Sequence, residues 1–146
     1  MKKLPEEEAL RWFTQAKDEF EDADELRKRG RFYLALFHFQ QATEKALKAY
    51  LYLKVESVEV FRTHSVGDLV EMALEVDRDF NTVAPAKKLD KYYILTRYPN
   101  GLPGGVPSRY FDDPVEADEA MTLAKNIVEL VERKLQETVP GPDSRE

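Results

Sequence analysis

Between Phe32 and Leu53 the residues Phe32, Ala35, Phe39, Ala42, Ala46, Ala49 and Leu53 recur at alternating steps of three and four positions. That spacing holds them on one narrow stripe of an α-helix, the geometry of a seam between helices that run nearly parallel or antiparallel. Four of the seven are alanine, so a neighbouring helix can approach closely, while Phe32, Phe39 and Leu53 supply bulk. Leu34, Leu36, Phe37, Leu47, Tyr50 and Leu51 lie off the stripe. A helix apolar on several sides must be covered on more than one of them or must meet a second subunit. The expected fold is therefore all-α, an antiparallel up-and-down bundle of about five helices with this segment as its axis.

The flanking sequence supplies the partners. From Pro5 to Arg29, the positions Ala9, Phe13, Ala16, Phe20, Ala23 and Leu26 form one helical face with Trp12 beside it. Glu6, Glu7 and Glu8 at its start, and Arg27, Lys28 and Arg29 before Gly30 at its end, complement the helix dipole. A third helix is expected from Thr63 or Ser65, where Ser65 and Asp68 resemble a capping box ahead of the stripe Val66, Leu69, Val70, Ala73 and Leu74. After a connection over Asp77 to Asn81, a fourth is expected from about Pro85 to Arg97, with Leu89, Tyr92, Tyr93 and Thr96 at helical spacing and Pro99 beyond its end. From Tyr98 to Asp113, Pro99, Gly101, Pro103, Gly104, Gly105 and Pro107 predict irregular structure, either a plain connector or a functional loop. The last helix is expected to open on Asp113 and Pro114 and to bury Ala117, Ala120, Ala124, Ile127, Val131 and Leu135. Pro140-Gly141-Pro142 predicts a disordered tail, so the expected division is one domain over 1–138 and a tail over 139–146.

Composition narrows the chemistry. Cysteine is absent from the 146 residues, which excludes disulfides, thiolate metal sites and a cysteine nucleophile. No apolar run approaches the roughly 18 residues a membrane span needs, and the sequence turns acidic at Pro5-Glu6, so a cytoplasmic protein is expected. A formal charge of −6 argues against indiscriminate coating of nucleic acid. Yet residues 85–109 carry Lys87, Lys88, Lys91, Arg97 and Arg109 against the single acid Asp90, which leaves room for a local anion site or, alternatively, a solvated helix face.

His38 and His64 are the only histidines and have no zinc-helix spacing, so no metal site is expected. Gly104-Gly105 lacks the context of a phosphate loop, and no serine stands in a nucleophile elbow. What remains is a polar set on an otherwise core-like helix: His38, Gln40, Gln41, Glu44, Lys45 and Lys48, with His64, Arg97 and Arg109 elsewhere. Glu44 and Lys48, four positions apart, read as a surface ion pair. His38 reads as a packed histidine or a base. Arg97 beside Tyr98, at a helix end opening into a loop, suits fork-like phosphate contacts with a ring available to stack on a base.

The run from Gly30 to Ala49, GRFYLALFHFQQATEKALKA, resembles the signature helix of the HEPN superfamily of nucleotide- and RNA-associated helical proteins. Thr63-His64-Ser65 opening a third helix and Arg97-Tyr98-Pro99 closing a fourth follow in the same order, so the resemblance extends from about Ala9 to Leu135. It implies a dimerising bundle that often pairs with a minimal nucleotidyltransferase in a toxin–antitoxin-like system. Many members are metal-independent endoribonucleases whose site is an arginine followed, four to six residues on, by a histidine. Here Arg97 is followed by Tyr98, Pro99, Asn100, Gly101, Leu102 and Pro103, and although Arg31 and His38 have the spacing, they lie at the start and middle of the second helix.

The chain accordingly resembles the branch without the nuclease motif. The expectation is a homodimeric module that binds a nucleotide, RNA or a nucleotidyltransferase partner, with no catalytic residue, cofactor or metal. Arg97, Tyr98, Lys45, Lys48, Gln41 and His64 are its candidate contacts. The alternatives are an endoribonuclease toxin using His38 or His64 as base with an arginine to stabilise the phosphorane, and a structural partner domain whose apolar surface serves only dimerisation.

Overall fold

A computed structural model describes residues 5–138; the predicted tail over 139–146 lies outside them. Among the described residues there are seven α-helices and no strand. The long elements are α1 (Pro5–Lys28), α2 (Phe32–Lys54) and α7 (Pro114–Thr138). Between them come α3 (Glu59–Arg62), α4 (Val66–Val76), α5 (Tyr92–Leu95) and α6 (Pro107–Tyr110), with 3-10 segments at Arg78–Lys91 and Pro99–Gly101. None of the described helices is long and apolar enough to cross a membrane.

Helix α2 is the axis. Its seam residues Ala35, Phe39, Ala42, Ala46 and Ala49 are fully buried, and so, within 2%, are the off-seam Leu36, Leu47, Tyr50 and Leu51. It is enclosed by α1, α4 and α7 together, which is why apolar residues occur all round it. The α1–α2 hairpin closes on Gly30, whose φ of +76° suits the left-handed turn that ends α1. Gly30 N donates to Arg27 O and Arg31 N to Leu26 O, the paired bonds of a Schellman cap. The expected stripe of α7 is buried throughout, from Ala117 to Leu135.

Helix α4 starts as predicted: Ser65 Oγ accepts from Asp68 N at 3.0 Å. Its remaining free amides are satisfied from a distance by Asp90, which accepts from Val66 N, Gly67 N and Ser65 Oγ. The carboxylate sits so close that a Cβ on Gly67 would lie 3.3 Å from Asp90 Oδ2.

The fourth predicted helix needs correction. The chain is already helical at Arg78, inside the expected connection, and winds as a 3-10 helix to Lys91 before the short α5. Phe80, Val83, Ala86, Leu89 and Tyr92 are all buried at a strict step of three. That row aligns only at three residues per turn, the 3-10 pitch, while Pro85 in mid-segment disfavours an α-helix through it. The predicted irregular stretch also contains structure: the Pro99–Gly101 turn and α6 each begin on proline, and Leu102, Pro107 and Phe111 are buried anchors. The short α3 was not foreseen from the sequence; it buries Val60 and sets Phe61 against Trp12 and Tyr52.

A polar spine on the central helix and its arginine ledge

Enclosure of α2 on several sides has a consequence for its polar residues. Gln40, Thr43, Glu44 and Lys48 are buried, the last two at 4% and 3% exposure. The expected surface pair Glu44–Lys48 is thus an interior one, with Lys48 Nζ 2.9 Å from Glu44 Oε2 and 5.9 Å from the centre of the Trp12 ring. The spacing gave the pairing correctly; the covering by α1 and the α3–α4 region is a tertiary effect that spacing does not encode.

Glu44 also holds His64, whose Nδ1 lies 3.2 Å from Glu44 Oε2. Gln40 Nε2 donates to the His64 carbonyl at 3.1 Å, tying the start of α4 to α2 by both backbone and ring. Gln41 Nε2 donates to Gln40 Oε1, and Gln41 Oε1 accepts from Lys45. Lys45 Nζ is in turn 2.7 Å from Glu19 Oε1, while Glu19 Oε2 is 2.8 Å from His38 Nδ1. His38 is therefore neither a dry core residue nor free, but half-buried against a carboxylate. Burial alone would raise the Glu19 carboxyl, yet the hydrogen bonds and positive charge from His38 and Lys45 outweigh it and hold that carboxyl below its ordinary range.

On the outer side of His64 the ring of Tyr93 stacks at 4.9 Å between centroids, 14° from parallel. Arg97, one turn after Tyr93, donates from Nε to the Tyr93 carbonyl at 2.7 Å. Its guanidinium carbon lies 4.6 Å from the ring centres of Phe37 and Tyr93 and 5.1 Å from that of Tyr98. Arg97 is exposed, and Tyr98 is 49% exposed. Three aromatic neighbours and a backbone anchor restrict the rotamers of a cation whose outer edge faces solvent.

All six residues singled out in the sequence join one network: Lys45 and Gln41 through Gln40, Lys48 through Glu44 to His64, then Tyr93, Arg97 and Tyr98. They divide by exposure. Arg97, Tyr98 and His64 reach the surface, Gln41 and Lys45 are half-buried, and Lys48 is inside. Sequence reasoning missed Phe37 and Tyr93 as the seats of Arg97; the four-residue step from Tyr93 to Arg97 was the available signal. The basic stretch 85–109 splits, with Lys88 and Lys91 turned toward Glu119 and Glu116 of α7 and Asp90 committed to α4. Among the described residues no group of three or more acidic or histidine side chains converges to hold a metal ion.

The architecture is an α-helical bundle whose central helix carries an internal ionic spine that ends at an aromatic-backed arginine. Comparison with known proteins makes the class specific. The chain belongs to the HEPN domain family, whose sequence model matches residues 9–134. It is 35% identical to TT1696 from Thermus thermophilus, whose crystal structure superposes with a TM-score of 0.74 over 86% of this chain and 97% of that one. An archaeal HEPN homologue, ST0689, is 28% identical, with a TM-score of 0.69 over 92% of this chain and 99% of that one. A protein of Methanocaldococcus jannaschii named "Putative toxin MJ1304" is 27% identical over 135 residues, spanning 86% of this chain and 87% of its own length.

Proposed function

We propose that this HEPN protein is a binding module that takes a nucleotide or a segment of RNA on the Arg97 ledge and works as a homodimer beside a minimal nucleotidyltransferase in a toxin–antitoxin-like pair. The observation that carries the nucleotide half is the exposed guanidinium of Arg97, anchored by its Nε and flanked by Phe37, Tyr93 and Tyr98. A phosphate takes paired hydrogen bonds from such a fork, and a base stacks on the exposed Tyr98 ring. His64 supplies a further donor or acceptor at the edge of the ledge. Gln41, Lys45 and Lys48 act behind it by fixing Gln40, Glu44 and hence His64. The toxin-like context draws support from the name of the archaeal relative. Calorimetric titration with ATP, GTP and short RNA tests the reading: binding by at least one that weakens at least tenfold in Arg97→Ala is expected. No binding by any of them, or indifference to the substitution, removes the nucleotide half. Co-purification with the product of a neighbouring nucleotidyltransferase reading frame tests the partner half.

One observation favours an endoribonuclease reading as the second. Glu44 holds His64 through Nδ1, which leaves Nε2 of a neutral ring as the acceptor, the arrangement of an oriented general base. Incubating RNA with wild type and His64→Ala discriminates, since cleavage lost only in the variant supports a His64 base and equal or absent cleavage in both rejects it.

A further inference from the structure

Beyond the Arg97 ledge, we infer a second, separate anion site: a pocket between the start of α2 and α6 that binds phosphate oxygens through Arg31 and Arg109. The pocket has a volume of about 420 Å³ and is lined by Gly30, Arg31, Phe32, Tyr33, Ser108 and Arg109. Its lining therefore includes two arginines, a tyrosine and a serine from segments more than seventy residues apart in the sequence, and no acidic residue.

The charge distribution makes that unusual for this chain. Acids outnumber bases 28 to 22, and cations near the same helix are paired: Arg27 with Asp24 and Asp118, Lys45 with Glu19, Lys48 with Glu44. Arg31 and Arg109 are exposed, and among the described residues neither has an ion pair or a side-chain hydrogen bond. Two arginines that border one concavity, with no acidic residue in its lining, favour a bound anion there. The start of α2 adds to the same field, for it has no side-chain cap and no acid in its first turn.

The chemistry of the lining selects the anion. Arginine forks match the tetrahedral oxygens of phosphate, and the hydroxyls of Tyr33 and Ser108 can donate to the oxygens that remain. A pocket this polar offers little wall to an apolar acid, and its volume exceeds what a lone carboxylate fills. The tail of a nucleotide and the terminus of an RNA present the same phosphate oxygens, and either fits this chemistry. Phe37, which seats Arg97, lies one turn along α2 from Tyr33, about 6 Å by helical rise, so pocket and ledge are neighbours on one helix.

The test is calorimetric titration of the full chain with sodium pyrophosphate at low salt. Binding at both the ledge and the pocket is expected, the pocket component being weakened about tenfold or more by Arg31→Gln and by Arg109→Gln and persisting in Arg97→Ala. Both arginines are exposed, so these variants leave the core intact, and their melting curves check it. Absence of pyrophosphate binding, or undiminished binding in both glutamine variants, overturns the pocket; so does loss of all binding in Arg97→Ala, which assigns the anion to the ledge alone. Parallel titrations with ATP and with short RNA bearing a 5′-phosphate or a 5′-hydroxyl identify the source, a response to the glutamine variants in either arm supporting the pocket. Should ATP and RNA ignore Arg97→Ala while pyrophosphate still depends on Arg31 and Arg109, the ledge fails and the pocket stands.

Discussion

The Glu44–Lys48 pair sits where each charge would be costly alone. Removing one partner leaves the other buried and uncompensated, which typically destabilises by about 3–5 kcal/mol, whereas replacing both by apolar groups of similar size is often close to neutral. Glu44→Gln is therefore expected to lower the urea midpoint sharply, and the double variant Glu44→Leu/Lys48→Met to recover much of the loss. Equal losses in the single and double variants would show that the pair contributes only packing.

Glu19 gives a pH signature. Its folded carboxyl titrates below the ordinary value, so the unfolded chain binds the extra proton first as pH falls. The contribution is present above the unfolded pKa of about 4 and is lost as pH drops through the lower folded value. Acid unfolding of wild type, followed by circular dichroism, is expected to steepen below about pH 4, and Glu19→Gln to flatten that part of the curve at a cost of about 1–2 kcal/mol at neutral pH. Asp77, held low by its hydrogen bonds to Lys134 and to the Asp79 backbone, adds a slope of the same sign that persists in the variant.

At the scale of elements, the alanines of α2 let its neighbours approach, and the sharpest consequence is intolerance of bulk. Ala46→Leu enlarges the side chain at a fully buried position and is expected to cost about 1–3 kcal/mol through overpacking, read as a lower melting temperature. Asp90→Ala strips three hydrogen bonds from the start of α4 and should cost about 1–2 kcal/mol, with hydrogen exchange accelerating first at Val66 and Gly67.

The long helices were legible because their stripes repeat at the α period and their ends carry charge, proline and glycine in the expected order. The 3-10 segment was not, although its signal was printed in the sequence: Phe80, Val83, Ala86, Leu89 and Tyr92 keep a step of three, which an α template reads as noise. For the candidate residues, the sequence carried their spacing along α2 but not their depth. Spacing put Gln41, Glu44, Lys45 and Lys48 on one side of α2, but which of them reach solvent depends on Trp12 and His64, which arrive from elsewhere in the bundle.

For the whole molecule, one enclosed helix organises the core and carries the polar spine that leads to the proposed binding ledge. The spine running from Lys45 to His64 fixes the floor on which Tyr93 and Arg97 rest, so changes inside should be felt at the ledge. Lys48→Met, which leaves Arg97 untouched, is expected to weaken ligand binding at Arg97 less than Arg97→Ala does while costing more stability, a contrast read by titration and melting of the same two variants.

The most direct measurement is the ligand-induced shift in melting temperature of wild type and Arg97→Ala, with ATP, GTP or short RNA in excess. Ligand that binds only the native state at about a hundred times its Kd adds about 2.7 kcal/mol. A rise of several degrees in wild type that is markedly smaller in Arg97→Ala is the predicted result; an identical response in the two proteins, or none in either, would contradict the assignment of the ledge as the binding surface.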